Sequence, residues 1–398
     1  MAKRILIVTN LYPPQELGGY GRCMADFAWG LMRLGYQIVV ASSDAAYLGP
    51  QGPSPSGEII ERKLILKGTF ENGLNFLKDA NKINSINQWN NEKLKEIIRE
   101  QKFDGILLGN LDLIGPEILS VLIKTKLPIV HHIGFISAPY PIHSYPTEKN
   151  YKMVCASQAV KSSMIREGFP ISNEPVIYPG ARVELFGEES LRRNLPPINT
   201  FSQGKQAQLG TSTNPLSVCF AGLLMGSKGA HTVVEALIGL KESGVYVNGM
   251  IAGASFQSGY REALEGLLRK AGLEDIVIFT GNLNREQLAR MLILHRVGIF
   301  PSIYPEAFGI VGAEMQASGL LLITSGVGGA SELVEDGKTG LIFNPGDSRD
   351  LANKLKMLIQ DPKLLEKVSQ AGKLQVNEFF SVKNSCLQLQ SIFSSYSS

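Results

Sequence analysis

From Leu216 to Thr324 short apolar runs alternate with segments of helical spacing. Leu216–Ala221, Val247–Ala252, Val277–Thr280, Val297–Phe300 and Leu321–Thr324 are the apolar runs, and His231–Glu242, Tyr260–Ala271 and Arg285–Leu294 lie between them. Strands this uniformly apolar must be covered on both faces, and strands alternating with helices give a parallel sheet layered between helices. A second series opens the chain. Ile5–Thr9 reads as a strand, Arg22–Leu34 as a helix ended by Gly35, and Ile38–Ala41 as the next strand, which makes a βαβ unit. Phe103–Leu108, Pro128–Val130 and Val154–Ala156 continue it as strands, with a helix at Pro116–Ile123 and Ser157 as the N-cap of another. Residues 49–91 are rich in Gly, Pro and Asn and read as an insertion without clear period, and Trp89–Gln101 reads as helical. A chain of 398 residues suffices for two separate cores. The expectation is an α/β protein of two Rossmann-like, doubly wound domains, 1–186 and 216–375. A polar linker is expected at 187–215, and a helical segment at 376–398.

Composition removes several classes of function. Hydrophobic residues make up 44% and charged residues 19%, as in globular proteins. A net charge of +3 is too small for a nucleic-acid binder, although it would not repel an anionic ligand or membrane surface. Cys23, Cys155, Cys219 and Cys386 stand far apart with no C-x-x-C, as free thiols in a reducing compartment do. The apolar run Ile5–Val8 is too short for a leader and is stopped by Asn10 and Pro13-Pro14, and no stretch approaches the ~18 apolar residues of a membrane span. A cytoplasmic protein is expected, at most peripheral at the inner face of a membrane. Five histidines show no metal-ligand spacing, and no D-x-D occurs.

Three stretches carry candidate chemistry. In Val297–Gly319 a strand runs through a Pro-rich loop into a helix, with Glu306 in the loop and Glu314 inside the helix. If the helix begins near Gly309, Glu314 falls on its apolar face beside Ile310, Val311 and Ala317, and needs a partner. That partner is either a core Arg or Lys or the hydroxyls of a ligand. In Phe220–Gly229 a strand leads through a Gly-containing turn with Lys228 to a helix. The loop Asn10–Arg22 holds Gly18-Gly19-Tyr20-Gly21. A dinucleotide fingerprint fails there because Met24 stands where the third glycine is required. Such a turn can still present backbone N–H groups to phosphate or sugar, or it can be a tight turn only.

Glu306, seven residues and Glu314, with Phe308-Gly309 between them and a small-residue helix after, resemble the signature of retaining glycosyltransferases of family 4, the glycosyl transferases group 1, which have the GT-B fold. Gly222-Leu223-Leu224-Met225-Gly226-Ser227-Lys228-Gly229 resembles the family's G-R-L-x3-K-G, with Leu223 in place of the usual Arg. Val176–Phe186 resembles its crossover between domains, with Arg182 where Asp is common. The resemblance implies two domains facing a cleft, the first on the acceptor side and the second holding a nucleotide sugar, with the C-terminal helical segment returning to the first. It implies that Lys228 holds the donor diphosphate, that Glu306 holds the sugar, that the amides around Phe308, Gly309, Ile310 and Val311 donate to sugar or phosphate, and that Glu314 receives the ribose hydroxyls. Gly18 and Gly19 match a loop closing on donor and acceptor. A first-domain histidine is expected to face the donor sugar; the family position falls at Gly134, so this sequence either shifts the role, to His132 or alternatively His131, or lacks it. Gly328-Gly329 with Glu332, and Gly337 with Gly340, fit the family pattern as packing elements.

The implied function is transfer of a sugar with retention from a UDP-, GDP- or ADP-sugar co-substrate to a sugar, polysaccharide or lipid-linked acceptor, in polysaccharide or glycoconjugate biosynthesis. No cofactor, no metal and no nucleic acid are expected. No nucleophile stands out for a double displacement, so front-face displacement is the default. The alternatives are a nucleotide-sugar epimerase of the same fold and a catalytically silent sugar-binding protein.

Overall fold

The computed structural model describes residues 2–71, 73–187 and 208–396. It divides into two compact units, Met1–Pro179 with Val382–Ser398, and Gly180–Ser381. Most of the linker expected at 187–215 lies outside the described residues.

The first unit is built on strands β1 (Arg4–Val8), β2 (Gln37–Ser43) and β3 (Ile59–Leu64), a small hairpin of β4 (Gly68–Thr69) and β5 (Asn75–Phe76), then β6 (Gly105–Leu108), β7 (Ile129–Ile133) and β8 (Tyr151–Cys155). Its sheet is parallel throughout, in the order β3-β2-β1-β6-β7-β8. Helices α1 (Tyr20–Arg33), α2 (Ala80–Glu100) and α3 (Leu119–Lys124) lie between these strands, and α4 (Gln158–Arg166) follows the last of them. Strands β1 and β6 are wholly or almost wholly buried, which accounts for their unbroken apolar sequence. The C-terminal helix Val382–Ser395 packs on α1, where Gly30 leaves room for Cys386 and Val382.

Two expectations for this unit change. Helix α2 begins at Ala80, nine residues before Trp89, because Asp79 caps it by accepting from the N–H groups of Asn81 and Lys82. Within residues 49–91, read as an insertion of weak periodicity, β3 adds an edge to the sheet and the β4–β5 hairpin follows it.

The second unit, Gly180–Ser381, opens with the short helix α5 (Val183–Phe186) and repeats the plan. Strands β9 (Leu216–Ala221), β10 (Val247–Ala252), β11 (Val277–Gly281), β12 (Val297–Phe300), β13 (Leu321–Thr324) and β14 (Leu341–Ile342) form a parallel sheet in the order β11-β10-β9-β12-β13-β14. Helices α6 (Ala230–Glu242), α7 (Tyr260–Lys270), α8 (Arg285–Leu292), α9 (Ile310–Ala317), α10 (Ser348–Gln360) and α11 (Pro362–Phe379) belong to the same unit. Val218, Phe220, Val233, Leu237, Ile299, Ile323 and Leu355 are buried in one core.

Numbered by the strands of each sheet alone, both orders read 3-2-1-4-5-6, the Rossmann arrangement. In each, the first strand has one neighbour formed by the next strand in sequence and another reached by crossing back. The gap between them is the topological switch point, where ligands bind in open α/β sheets. It lies between β1 and β6 in the first unit and between β9 and β12 in the second. Among the described residues no helix is long and apolar enough to cross a membrane, and no cluster of His, Cys, Asp or Glu could hold a metal ion.

Candidate active site

At the carboxyl edge of the second sheet, the turn after β9 and the loop after β12 lie against each other. Residues Gly226–Lys228 form one 3-10 turn, and the amide of Ile303 donates to the carbonyl of Ser227 at 2.9 Å. Gly229 follows in a left-handed conformation (φ 73°), and a Cβ there would collide with the carbonyl oxygen of Pro301. The close approach brings two charged side chains together: Lys228 Nζ donates to Glu306 Oε1 at 2.6 Å, with both side chains partly exposed.

Glu306 is fixed from three further directions. The hydroxyl of Ser302 donates to the same Oε1, and Ser325 Oγ donates to the carbonyl of Ser302 at 2.5 Å. The backbone of Glu306 pairs with the loop after β13, its N–H donating to Val327 O at 3.2 Å and its carbonyl accepting from Gly329 N at 2.7 Å. Gly328 sits in the middle of that pairing with φ 64°, and a Cβ would fall 2.5 Å from Glu306 O. Gly328-Gly329, read from sequence as packing, thus form the template on which the Glu306 loop is laid. Ser302 and Ser325 were not singled out from sequence. Position gives a signal for both: each lies within two residues of the end of a switch-point strand or its neighbour, β12 or β13.

Beyond Glu306 the chain turns inward. Phe308 is buried against Phe380, ring centroids 5.5 Å apart. Gly309 takes φ 110°, with Phe300 occupying the space a side chain would need, and caps α9. The amides of Ile310 and Val311 open that helix and have no partner within its first turn, so they present a partial positive charge at the carboxyl edge. Glu314, one turn further, is fully buried, as its place on the helix required. Of the two partners open to it, the structure supplies the cation: Arg285 Nη2 donates to Glu314 Oε1 at 2.8 Å. Arg285 is the first residue of α8, whose N-terminus is fixed by a capping box of Asn284 and Gln287, and its guanidinium lies 5.5 Å over the ring of Phe186.

The candidate residues of the first unit divide. Gly18 (φ 68°) and Gly19 lie directly before α1, which begins at Tyr20, and the space around Gly18 is open. The two histidines require a correction. Both belong to β7 and both are buried, so neither side chain reaches out to a ligand. His131 Nδ1 bonds with Tyr151 Oη at 2.5 Å and its ring stacks on Tyr140. His132 Nε2 donates to the carbonyl of Ile177 at 2.8 Å and its ring meets Phe27 edge-on. Burial pushes the pKa of His131 down to about 3 and that of His132 down to about 4. Both are neutral core side chains at neutral pH. Pattern reading missed this because a strand end and a strand interior have the same sequence signature.

The loop Asn10–Gly19 has an unexpected set of anchors. Tyr12 Oη donates to the buried Glu58 at 2.5 Å, and Arg62 Nη2 donates to the carbonyls of Tyr12 at 3.0 Å and Pro13 at 2.7 Å. Gln15 Nε2 donates to Asp44 at 2.8 Å. Glu58 and Arg62 come from the stretch that showed no period.

Residues 202–375 match the family model for glycosyl transferases group 1. This stretch is a group 1 glycosyltransferase domain. The glycogen synthase of Mycobacterium tuberculosis is 24% identical over 397 residues, spanning 95% of this chain and 91% of its own length. The D-inositol 3-phosphate glycosyltransferase of an Arthrobacter strain is 29% identical over 48% of this chain and 45% of its own, so that match spans less than half of the relative. Among solved structures, a glycosyltransferase from Rickettsia africae superposes with a TM-score of 0.77 at 20% identity, covering 99% of this chain and 98% of its own. The Anabaena protein HepE, solved with UDP and glucose, superposes with a TM-score of 0.70 at 21% identity, covering 98% and 99%. The group 1 match thus falls in the second of two Rossmann-like units, the fold shared with these solved structures, and Lys228 and Glu306 both lie in that unit at the switch point.

Proposed function

We propose that this glycosyltransferase moves a sugar from a nucleotide-diphosphate sugar to an acceptor hydroxyl with retention, as family 4 enzymes do, without a metal ion. The Lys228–Glu306 pair at the β9–β12 switch point carries the reading. An arriving donor satisfies both partners: its diphosphate takes the ammonium of Lys228, and its sugar hydroxyls donate to the carboxylate of Glu306. As the glycosidic bond lengthens, negative charge grows on the diphosphate, where Lys228 and the first amides of α9 stabilise it. Leu223 supplies no cation, so these groups carry more of that charge. Glu314, oriented by Arg285, receives the ribose hydroxyls. His131 and His132 have no part in this scheme.

Names among the relatives and neighbours support a nucleotide-sugar donor and a sugar-bearing acceptor: glycogen synthase, an inositol-phosphate glycosyltransferase, and a protein holding UDP with glucose. On this reading the acceptor is a sugar, polysaccharide or lipid-linked glycan, and the buried free cysteines suit a reducing, cytoplasmic setting. The test follows nucleotide release from UDP-glucose, GDP-glucose and ADP-glucose, with and without EDTA. Release from one donor, unchanged by EDTA and slowed by roughly 10²–10³ in Lys228→Ala, is expected. An unchanged rate in that variant refutes the scheme. Binding without release from any donor would favour a silent sugar-binding protein.

A further inference from the structure

We infer that Tyr260, together with Gln257, is a positioning residue for Lys228, and that the connection between β10 and α7 clamps the Lys228 turn from the side away from Glu306. This rests on the glycosyltransferase reading and names the groups that set its phosphate-binding cation. Strand β9 stands between β10 and β12, so the turn that follows it has a neighbouring connection on each side. On the β12 side lies the Glu306 loop. On the β10 side lies the segment from Gly253 to Gly259, which leads into Tyr260 at the start of α7.

Side chains from the β10 side hold both ends of the turn. The amide of Gly226 donates to Gln257 Oε1 at 2.9 Å, and the amide of His231 donates to Tyr260 Oη at 3.1 Å. Backbone bonds keep the two segments together: the amide of Leu224 donates to the carbonyl of Ala254 at 2.9 Å, and its carbonyl accepts from the amide of Gln257 at 3.2 Å. Lys228 lies between the two held amides. Gln257 is exposed, so water can replace its bond, whereas Tyr260 is half-buried. The weight therefore falls on Tyr260.

The Tyr260 hydroxyl has two partners in His231. Helix α6 has Gly229 as its N-cap, which offers no side chain to the first amides, and Tyr260 fills that place from another helix. The same oxygen lies 2.7 Å from His231 Nδ1. Burial, ahead of the nearby Glu235 carboxylate, raises the pKa of the phenol, so it keeps its proton. A phenol that accepts from the amide still has its own O–H to donate, and Nδ1 is the acceptor within reach. The clamp thus fixes the tautomer of His231, with the ring proton on Nε2.

The placing of Lys228 matters because residues 222–229 contain no other cation, Leu223 standing where the family pattern has Arg. A displaced ammonium loses most where charge is growing, on the diphosphate as the glycosidic bond lengthens. The amide of His231 is taken by Tyr260 and is not offered to phosphate, which leaves the diphosphate to Lys228 and the start of α9.

Tyr260→Phe removes the hydroxyl and keeps the ring, which meets His231 edge-on with centroids 6.0 Å apart. Loss of a hydrogen bond between neutral groups corresponds to about five-fold, and kcat/KM for nucleotide release is expected to fall by that factor, more through kcat than through KM. The cycle with Lys228→Ala separates positioning from a structural role: once the ammonium is gone, adding Tyr260→Phe should cost nothing further. An unchanged kcat/KM in the single variant would overturn the assignment. So would an equal loss in the parent and in the Lys228→Ala background, which would mark Tyr260 as structural only. The clamp is also read without any ligand, by nitrogen-15 resonances of labelled histidine at about pH 8, above the ordinary histidine pKa. His231, identified by its absence in His231→Gln, should show an unprotonated Nδ1 whose resonance moves in Tyr260→Phe; a protonated Nδ1, or no movement, would overturn the clamp. A parent that shows this tautomer but releases no nucleotide from any donor would count against the glycosyltransferase reading and not against the clamp.

Discussion

Replacing Arg285 by Met removes the guanidinium that lies 2.8 Å from Glu314 while keeping most of the volume. Glu314 is fully buried and the Arg285 side chain is 17% exposed, so the carboxylate cannot recover in water what it loses in the pair. Breaking a buried ion pair from one side costs about 3–5 kcal/mol, and the slight access of water to Arg285 argues for the lower end, about 3 kcal/mol. In a unit the size of Gly180–Ser381, each kcal/mol displaces Tm by roughly 2–4 °C, which gives a fall of about 6–12 °C. Removing the second charge as well, by Arg285→Met with Glu314→Leu, should restore most of the loss, because an apolar pair of similar volume is often no worse than a buried ion pair. Thermal unfolding of the parent, both single variants and the double variant gives the coupling directly. A loss under about 1 kcal/mol in Arg285→Met, or a double variant as unstable as the sum of the single ones, would refute this account of Glu314.

Two further outcomes follow from the site and from the core. Ser302→Ala removes the hydroxyl that holds Glu306, and loss of a hydrogen bond to a charged group, about 1.5 kcal/mol or more, should lower kcat/KM for the donor about ten-fold with an unchanged circular-dichroism spectrum; an unaltered kcat/KM would show that Ser302 does not position the carboxylate. His131 and His132, whose folded pKa values are depressed to about 3 and about 4, stay neutral in the fold while the unfolded chain takes up protons below its pKa of about 6.5. Their contribution is therefore complete above that pH and is lost on acidification, by about 1.4 kcal/mol per pH unit for each histidine, until the folded values are reached. Denaturant midpoints measured from pH 7 to pH 5 should fall less steeply in His132→Gln than in the parent, and an identical slope would contradict the assignment.

Legibility in the sequence followed burial. Strands β9, β10, β12 and β13 have the bounds their apolar runs indicated, because the middle of a parallel sheet is covered on both sides and admits almost nothing polar. Strand β3, IIERKL, is an edge with largely half-buried residues, and its Glu, Arg and Lys concealed it. The first half of α2 carries Asn81, Asn84, Asn87 and Asn90 in place of a regular apolar stripe, so only its cap at Asp79 marks its start. Within the site, Lys228 and Glu306 were legible through their motifs. Ser325 and Arg285 were not, since each acts on a partner more than twenty residues away, and Ser302, four residues before Glu306 in an irregular loop, had only its place after β12 to mark it. The histidines failed for the opposite reason: a suggestive pair lay one or two residues too deep in the strand.

On the proposed reading, the mutual neutralisation of Lys228 and Glu306 sets a bias between ligands. Inorganic phosphate can capture the ammonium, but it strands a carboxylate whose remaining side-chain partner among the described residues is the Ser302 hydroxyl. A spent nucleoside diphosphate meets the same handicap. On the same reading an intact donor brings hydroxyls for the carboxylate along with its phosphates, so that each charged group gains a new partner. Product and buffer anions should on that reading be disfavoured by the Lys228–Glu306 contact itself, without a dedicated barrier.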